Sequence, residues 1–163
     1  SGRYILFVGS LSKRKGFPKL LEIALKNKDM NFLVIGRGDN KLKNQLGHIQ
    51  NIIYLSTQTQ EKVSKYMNSA DLFTLFSTNE GSPNVLVEAR ACNLPILCSN
   101  INEHKELLGI DNAFYLDRDK DIDLNSLFKS PLYKILSSSN FNYNKSNLTL
   151  RIKKLHNIIN SYF

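Results

Sequence analysis

Cysteine is scarce in this chain of 163 residues, and long apolar runs are absent. The two cysteines, Cys92 and Cys98, offer too few ligands for a metal site or a disulfide scaffold. We therefore expect two small buried thiols in a reducing compartment such as the cytoplasm. No run approaches the roughly 20 apolar residues of a membrane span, and no charged-then-apolar leader is visible. With 42% hydrophobic residues, the chain is typical of one globular domain with its own core.

Acidic residues are missing altogether after Asp123. Most of the net charge of +8 therefore comes from the C-terminal tail. Its basic residues are Lys129, Lys134, Lys145, Arg151, Lys153 and Lys154. Such a tail is compatible with a solvated helix face or with contact to an anionic membrane surface. No aromatic-rich basic face accompanies it, so we expect no nucleic-acid partner.

Short apolar runs alternate with segments of helical periodicity. The predicted strands are Ile5–Val8, Phe32–Ile35, Ile52–Leu55, Leu72–Phe76, Pro95–Ser99 and Ala113–Leu116. Thr59 is a predicted N-cap for the helix that carries Val63, and Glu61 falls in its first turn. Continuously apolar strands between amphipathic helices indicate a parallel sheet covered on both faces. The fold class is thus α/β: a doubly wound, Rossmann-like parallel sheet of about six strands, with a C-terminal helix.

The chain divides unevenly along its length. Residues 1–2 are typical of a cleavage scar, and the strand that follows at once indicates a piece of a longer protein. Residues 3–163 form the predicted domain, with its core at 4–116. Because 137–147 is rich in Ser and Asn, we expect a linker there. An apolar stripe at helical spacing then predicts a terminal helix over 148–162.

The segment from Glu80 to Glu88 is suited to an anion that also carries hydroxyls. Pro83 is well placed as the first residue of a helix, and Gly81 lets the backbone pass close to a ligand. A helix start offers N–H groups and a positive dipole end to a phosphate. The two carboxylates can accept hydrogen bonds from hydroxyls. A nucleotide sugar combines both kinds of group.

Three further loops follow predicted strands, and strand ends of such sheets carry ligand sites. The first, from Gly9 to Gly16, contains Ser10 and three basic residues, of which Lys15 is placed to pair with a diphosphate. The second, Gly36-Arg37-Gly38, is equally explained by a turn that needs glycine. The third contains Ser56 and Thr57.

Together these segments resemble the C-terminal, donor-binding half of a retaining GT-B glycosyltransferase of the family-four (group 1) type. The matching segments are Phe7-Val-Gly-Ser-Leu-Ser-Lys-Arg-Lys-Gly16, Val34-Ile-Gly-Arg-Gly38, Ala70-Asp-Leu-Phe73, Ser77-Thr-Asn-Glu-Gly-Ser-Pro-Asn-Val-Leu-Val-Glu-Ala89 and Ala91-Cys-Asn-Leu-Pro-Ile96. They stand in family order and spacing over roughly residues 4 to 116. After Leu116 the resemblance is limited to a terminal helix.

The resemblance implies a role for each position. Glu88 would bind the ribose, Glu80 the hydroxyls of the donor sugar, and Lys15 the diphosphate; Lys15 and Glu80 are thus the candidate catalytic residues. The base would lie near Gly36, Arg37, Ser56 and Thr57. The remaining donor-binding positions are Gly9, Ser10, Gly81, Ser82, Pro83, Asn84 and Val85. No metal or cofactor is required, because Lys15 would stabilise the charge that grows on the leaving group.

The sequence departs from the family pattern at a few positions. Ser10 stands where the family often has arginine, so Lys13 or Arg14 would have to supply that phosphate contact. Asn93 replaces a glycine, which is tolerable because asparagine adopts left-handed conformations more readily than most residues. Asn102 and Glu103 replace a Pro/Gly-rich turn. We expect His104 to lie on the surface.

The sequence therefore predicts the donor-binding domain of an enzyme that transfers a hexose from a nucleoside diphosphate sugar, with a UDP-sugar favoured. Its acceptor would be a glycan or a lipid-linked sugar. The partner would be an N-terminal acceptor-binding domain of the same parent chain, cytoplasmic or peripheral on the inner face of a membrane. The alternative is a degenerate, non-catalytic domain that serves assembly or regulation.

Overall fold

Six strands form one sheet in the computed structural model, which describes residues 2–81 and 83–138. The strands are β1 Tyr4–Val8, β2 Asn31–Ile35, β3 Ile52–Leu55, β4 Leu72–Leu75, β5 Ile96–Ser99 and β6 Phe114–Leu116. Every pairing is parallel, and the spatial order is β3-β2-β1-β4-β5-β6. All six predicted strands are confirmed, with ends that differ by at most one residue. The doubly wound α/β fold class is therefore correct.

The strand order reverses between β1 and β4, and this reversal fixes where a ligand can bind. Leu6 of β1 is in register with Leu33 of β2 on one side and Phe73 of β4 on the other. The loops that leave β1 and β4 then turn to opposite faces of the sheet and open a crevice at their carboxyl ends. The candidate residues Lys15 and Glu80 follow these two strands.

Seven helices accompany the sheet in the described part of the chain. They are α1 Phe17–Lys26, α2 Asn40–Leu46, α3 Gln60–Met67, α4 Asn84–Ala91, α5 Asn102–Leu108, α6 Leu124–Lys129 and α7 Pro131–Ser138. Because β1 to β2 and β4 to β5 step in opposite directions along the sheet, right-handed crossovers put α1 and α4 on opposite faces. The helices α3, α4 and α5 pack side by side.

Local signals explain several helix ends. The Thr59 hydroxyl accepts a hydrogen bond from the Lys62 amide, and Glu61 lies in the first turn of α3, as predicted. Asn93 follows α4 at φ 49°, the left-handed conformation expected of it. Glu103 lies in the first turn of α5, where the helix dipole favours a carboxylate. Pro83 is the N-cap of α4 and not its first residue, so that prediction was wrong by one position.

The core extends beyond the predicted limit of residue 116. Leu124, Leu127 and Tyr133 are buried in the same cluster, and the Tyr133 hydroxyl donates to the Asp71 carbonyl at 3.1 Å. Arg3 lies over the Phe128 ring, 5.0 Å from its centroid, which ties α6 to the sheet. The predicted linker at 137–147 begins two residues too early, because 137 and 138 belong to α7. The predicted terminal helix at 148–162 and most of the basic tail lie outside the described residues.

Both cysteines are free thiols. Cys98 is fully buried on β5, and burial raises the pKa of its thiol to about 12. Cys92 is half-buried just after α4, and burial raises its pKa as well. The expectation of two buried thiols holds fully for Cys98 and in part for Cys92.

Among residues 2–81 and 83–138, none of the helices combines the length and apolar character needed to cross a membrane.

Candidate functional site

The loop between β1 and α1 is held on both sides by backbone contacts. On one side, the Leu11 amide donates to the Arg37 carbonyl at 3.0 Å. On the other, the Thr78 amide donates to the Arg14 carbonyl at 2.9 Å. The loops after β1, β2 and β4 therefore form one connected rim at the carboxyl edge of the sheet.

Two glycines permit this close packing. A Cβ on Gly36 would lie 1.8 Å from the Gly9 carbonyl oxygen. A Cβ on Gly16 would lie 1.8 Å from the Phe76 carbonyl oxygen, and Gly16 adopts φ 70°. The requirement of this turn for glycine is thus enough to explain Gly36, without a contact to a ligand. Gly81 differs, since a Cβ there would meet nothing within 4 Å and would point into open space.

Lys15 and Glu80 meet at this rim. The Lys15 ammonium donates to both carboxylate oxygens of Glu80, at 2.6 and 2.9 Å. The Glu80 side chain is only 4% exposed and also accepts a hydrogen bond from the Ser77 hydroxyl. Arg14 lies on the same side, with its guanidinium 3.6 Å from Glu80. The sequence analysis placed these two residues at the same edge of the sheet, but it did not predict the ion pair between them.

These contacts keep Glu80 ionised. Burial alone would raise the pKa of its carboxyl, but hydrogen bonds from Lys15 and Ser77 and the charges of Lys15 and Arg14 lower it below its usual range. An ionised carboxylate only accepts hydrogen bonds. Glu80 is therefore suited to bind hydroxyls and not to deliver a proton.

The start of α4 lies just beyond Glu80. Pro83 provides no side-chain acceptor for the first amides of this helix, and no acidic residue lies in its first turn. Neither Pro83 nor an acidic residue therefore offsets the positive end of the helix dipole. Asn84 and Val85 are the first two helical residues, whereas Ser82 lies outside the described residues.

Glu88 lies one turn further along α4 and is half-buried. Its carboxylate accepts a long hydrogen bond, 3.4 Å, from the Gln60 side chain at the start of α3. Ser56 and Thr57 are exposed at the end of β3, next along the rim. Arg37 is exposed after β2, and the Tyr54 hydroxyl donates to the Gly36 carbonyl at 2.8 Å.

Ser10 and Gly9 begin the first loop. The Ser10 hydroxyl lies 3.1 Å from the Ser12 hydroxyl, so its hydrogen bond is local. Of the two basic residues that could substitute for the family's arginine, Arg14 points toward Glu80. Lys13 instead lines a separate cavity, which neither Lys15 nor Glu80 lines.

His104 contradicts its predicted position on the surface, since it is 0% exposed. Its Nδ1 lies 3.1 Å from the Ser99 carbonyl oxygen, which makes Nδ1 the donor and leaves Nε2 as an acceptor. Nε2 is buried with no hydrogen-bond partner among the described residues. Burial lowers the pKa of this imidazole; the Lys15 charge also lowers it, and Ser99, Glu80 and Glu103 act in the opposite direction. The signal in the sequence was its spacing of four from Leu108, which is buried on the same side of α5.

His104 predicts a pH dependence of stability. Its folded-state pKa lies below the ordinary value, so the unfolded chain binds the proton first as the pH falls. The free energy of unfolding should thus be highest above about pH 6.5 and fall by up to about 1.4 kcal/mol per pH unit below it. Asn in place of His104 retains a donor for the Ser99 carbonyl but does not titrate. Urea unfolding of His104→Asn at pH 5, 6 and 7 should show a smaller slope than wild type.

His48, which is exposed after α2, provides the matched control. The His48→Asn variant should keep the wild-type slope. An unchanged slope in His104→Asn would show that another group causes the pH dependence.

Within the described ranges, no three His, Cys, Asp or Glu residues are grouped so that they could hold a metal ion.

Comparison with known proteins identifies the family. The model for group 1 glycosyl transferases matches residues 1–146. The chain therefore belongs to the group 1 glycosyltransferase family. One relative is the Campylobacter jejuni enzyme N-acetylgalactosamine-N,N'-diacetylbacillosaminyl-diphospho-undecaprenol 4-alpha-N-acetylgalactosaminyltransferase. It is 31% identical over 137 aligned residues, which cover 78% of this chain and 36% of that enzyme.

Solved structures show the same fold. Anabaena HepE, in complex with UDP and glucose, superposes with a TM-score of 0.69 at 17% identity, covering 98% of this chain and 48% of that one. The C-terminal domain of the group 1 protein LpcC from Francisella tularensis gives a TM-score of 0.65 at 17% identity, with 87% of each chain covered. The fold is thus that of one half of a GT-B glycosyltransferase. The chain spans about a third of the length of the curated relatives it matches.

Proposed function

We propose that this chain is the donor-binding domain of a retaining glycosyltransferase that transfers a hexose from a nucleoside diphosphate sugar. The observation that carries the proposal is the meeting of Lys15 and Glu80 beside the start of α4. A cation, an ionised carboxylate and a helix start are together suited to a diphosphate that bears a sugar. A UDP-sugar is the favoured donor, since HepE, a structural neighbour, is seen with UDP and glucose.

Lys15 and Glu80 neutralise each other through their ion pair. We infer that donor binding exchanges this pair: the diphosphate takes the Lys15 ammonium, and sugar hydroxyls donate to Glu80. Ser77 and Arg14 remain beside Glu80 and keep it ionised. Glu80 thus holds the sugar in position during transfer.

The reaction breaks the bond between the anomeric carbon and the diphosphate oxygen. The anomeric carbon forms a new bond to an acceptor hydroxyl oxygen, and the proton of that hydroxyl passes to the departing diphosphate. Negative charge then grows on the departing diphosphate, where Lys15 and the amides at the start of α4 stabilise it. Preorganised charges of this kind commonly make the greatest contribution to lowering the barrier of an enzyme reaction. None of these steps calls for a metal ion.

The acceptor would be a glycan or a lipid-linked sugar. The named Campylobacter jejuni relative carries diphospho-undecaprenol in its name, which supports an acceptor of this class. We propose that a second domain of the parent protein binds this acceptor, since the chain matches only about a third of the length of its relatives. The chain alone should therefore bind donor but transfer little sugar.

The proposed contact between Glu88 and the ribose of the donor provides a test of this function. Replacing Glu88 with alanine should weaken UDP and UDP-sugar binding by roughly tenfold, because hydrogen bonds to a charged group contribute about 1.5–3 kcal/mol and this carboxylate is only half-buried. Calorimetry with uridine and guanosine diphosphate sugars measures the affinities and decides the base.

Glu61→Ala is the matched control, because it removes the same charge from an exposed position of α3. It should bind like wild type. Equal affinity of wild type and Glu88→Ala would refute the ribose assignment. Absence of all binding by a folded chain would favour the degenerate-domain alternative.

A further inference from the structure

A separate cavity of about 410 Å³ opens at the same edge of the sheet. It lies between the start of α1 and the segments that follow β4, β5 and β6. Neither Lys15 nor Glu80 lines it, and neither does any residue of α4. The cavity is therefore distinct from the pair of Lys15 and Glu80 and from the start of α4. Its volume falls within the range of about 300–1,000 Å³ that is usual for small-molecule sites.

The charges around this cavity favour an anion. Lys13, Lys19 and Arg118 line it, against the single carboxylate of Asp117. Asp117 already accepts a hydrogen bond from the Asn100 side chain at 2.6 Å. The Lys19 ammonium forms ion pairs with the carboxylates of Glu22 and Asp121, at N···O distances of 3.3 and 3.9 Å. Within the described part of the chain, Lys13 and Arg118 form no ion pair, so both are available to a ligand.

The rest of the lining is suited to a sugar ring. Phe76, Pro18 and Leu116 provide an apolar surface for C–H groups. Thr78 and Asn100 add a hydroxyl and an amide that can bind ring hydroxyls. The basic side chains of the loop between β1 and α1 lie at two different sites. Arg14 and Lys15 pair with Glu80, whereas Lys13 lines the cavity.

A chain of hydrogen bonds joins the cavity to Glu80. The Ser99 hydroxyl donates to the Ser77 carbonyl at 2.7 Å, and the Ser77 hydroxyl donates to Glu80. Both serines line the cavity. Ser77 therefore borders both the cavity and the place where the donor sugar would lie.

We propose that this cavity binds an acidic sugar, one that carries a phosphate or a carboxylate, as a part of the acceptor. The acceptor role rests on the proposed donor function, because it depends on Glu80 holding the transferred sugar next to Ser77. The proposal that an acidic sugar binds here depends only on the cavity, its cations and its apolar lining residues.

The test is a titration of the 163-residue chain with glucose 6-phosphate, followed by amide NMR. Neutral glucose and inorganic phosphate are titrated in parallel. We expect saturable binding of glucose 6-phosphate that is weakened about fivefold to tenfold by Lys13→Ala and by Arg118→Ala. Both residues are exposed, so these variants should fold, and their urea unfolding curves check this.

Lys15→Ala distinguishes the two sites, since it removes a cation that does not line the cavity. It should leave glucose 6-phosphate binding unchanged. The proposal is overturned if glucose 6-phosphate does not bind, if inorganic phosphate binds equally well, or if Lys15→Ala and not Arg118→Ala reduces binding.

UDP titrations of the same samples separate this proposal from the donor function. UDP binding without glucose 6-phosphate binding would overturn only the cavity site. Arg118-dependent binding of glucose 6-phosphate without UDP binding would overturn the acceptor role and the donor function together.

Discussion

Replacing Lys15 with alanine is expected to weaken binding of UDP and of a UDP-sugar by about 10- to 100-fold, since a charge-assisted hydrogen bond contributes about 1.5–3 kcal/mol. The ammonium is the cation placed closest to Glu80, and its side chain is only 18% exposed. Its charge is therefore less screened by water than that of a surface lysine. Calorimetry with UDP and with a UDP-sugar measures the loss.

Two further variants show what this loss means. Lys65→Ala removes the same charge from an exposed position near the end of α3, away from the rim, and should bind like wild type. Glu80→Gln should not weaken UDP binding, because it removes the carboxylate that competes with the diphosphate for the Lys15 ammonium. It should weaken UDP-sugar binding relative to UDP binding, because the sugar hydroxyls lose an ionised acceptor. An equal loss of UDP affinity in Lys15→Ala and Lys65→Ala would contradict the assignment of Lys15 to the diphosphate.

Replacing Gly16 with alanine is expected to lower the free energy of unfolding by on the order of 3–5 kcal/mol. The new Cβ would lie 1.8 Å from the Phe76 carbonyl oxygen, and the left-handed φ of 70° adds strain for any side chain. Relief would require the β1–α1 loop to move away from β4. This loop carries Lys15, so donor binding should fall together with stability. Urea unfolding followed by circular dichroism measures the loss.

Gly47→Ala is the matched control at the end of α2. Gly47 has φ −62° and ψ −16°, and a Cβ there would have its nearest neighbours at 3.5 and 3.8 Å. This variant should change stability by less than about 1 kcal/mol, and in the stabilising direction. Similar losses for Gly16→Ala and Gly47→Ala would show that the close contact with Phe76 does not hold the loop.

The sheet was predictable because its strands are short, apolar and buried on both faces. Each was bounded by a glycine, a polar turn or a helical pattern, and the alternation allowed only a parallel, doubly wound order. The placement of Lys15 and Glu80 at one edge of the sheet followed from the same reasoning, since both residues come after strands. The structure adds that these strands, β1 and β4, are neighbours. The direct ion pair between Lys15 and Glu80 did not follow from this reasoning, because it depends on how two loops pack across the rim.

The segment after β6 shows what local reasoning missed. Helices α6 and α7, of six and eight residues, follow the last strand and were not predicted. Signals for both were nevertheless present. Asp123 caps α6 by accepting a hydrogen bond from the Asn125 amide at 2.9 Å, and Pro131 begins α7.

The sequence analysis predicts His104 on the surface, and its neighbours in the sequence, Glu103 and Lys105, are charged. In a helix, however, adjacent residues point in different directions, and His104 shares its side with Leu108. The Ser99 carbonyl that accepts its hydrogen bond belongs to the end of β5. This contact, like the role of Ser77 beside Glu80, arises only from the tertiary packing of the rim.

Amide NMR of the 163-residue chain titrated with UDP tests the donor assignment most directly. We expect saturable shifts concentrated at the amides of Gly81, Asn84, Val85 and the Gly9–Lys15 loop, with little change at α6 and α7. The same titration of Lys15→Ala should need a higher UDP concentration to reach saturation. An unperturbed spectrum of the folded wild-type chain, or shifts confined to residues away from this rim, would contradict a nucleotide-sugar site at Glu80 and α4.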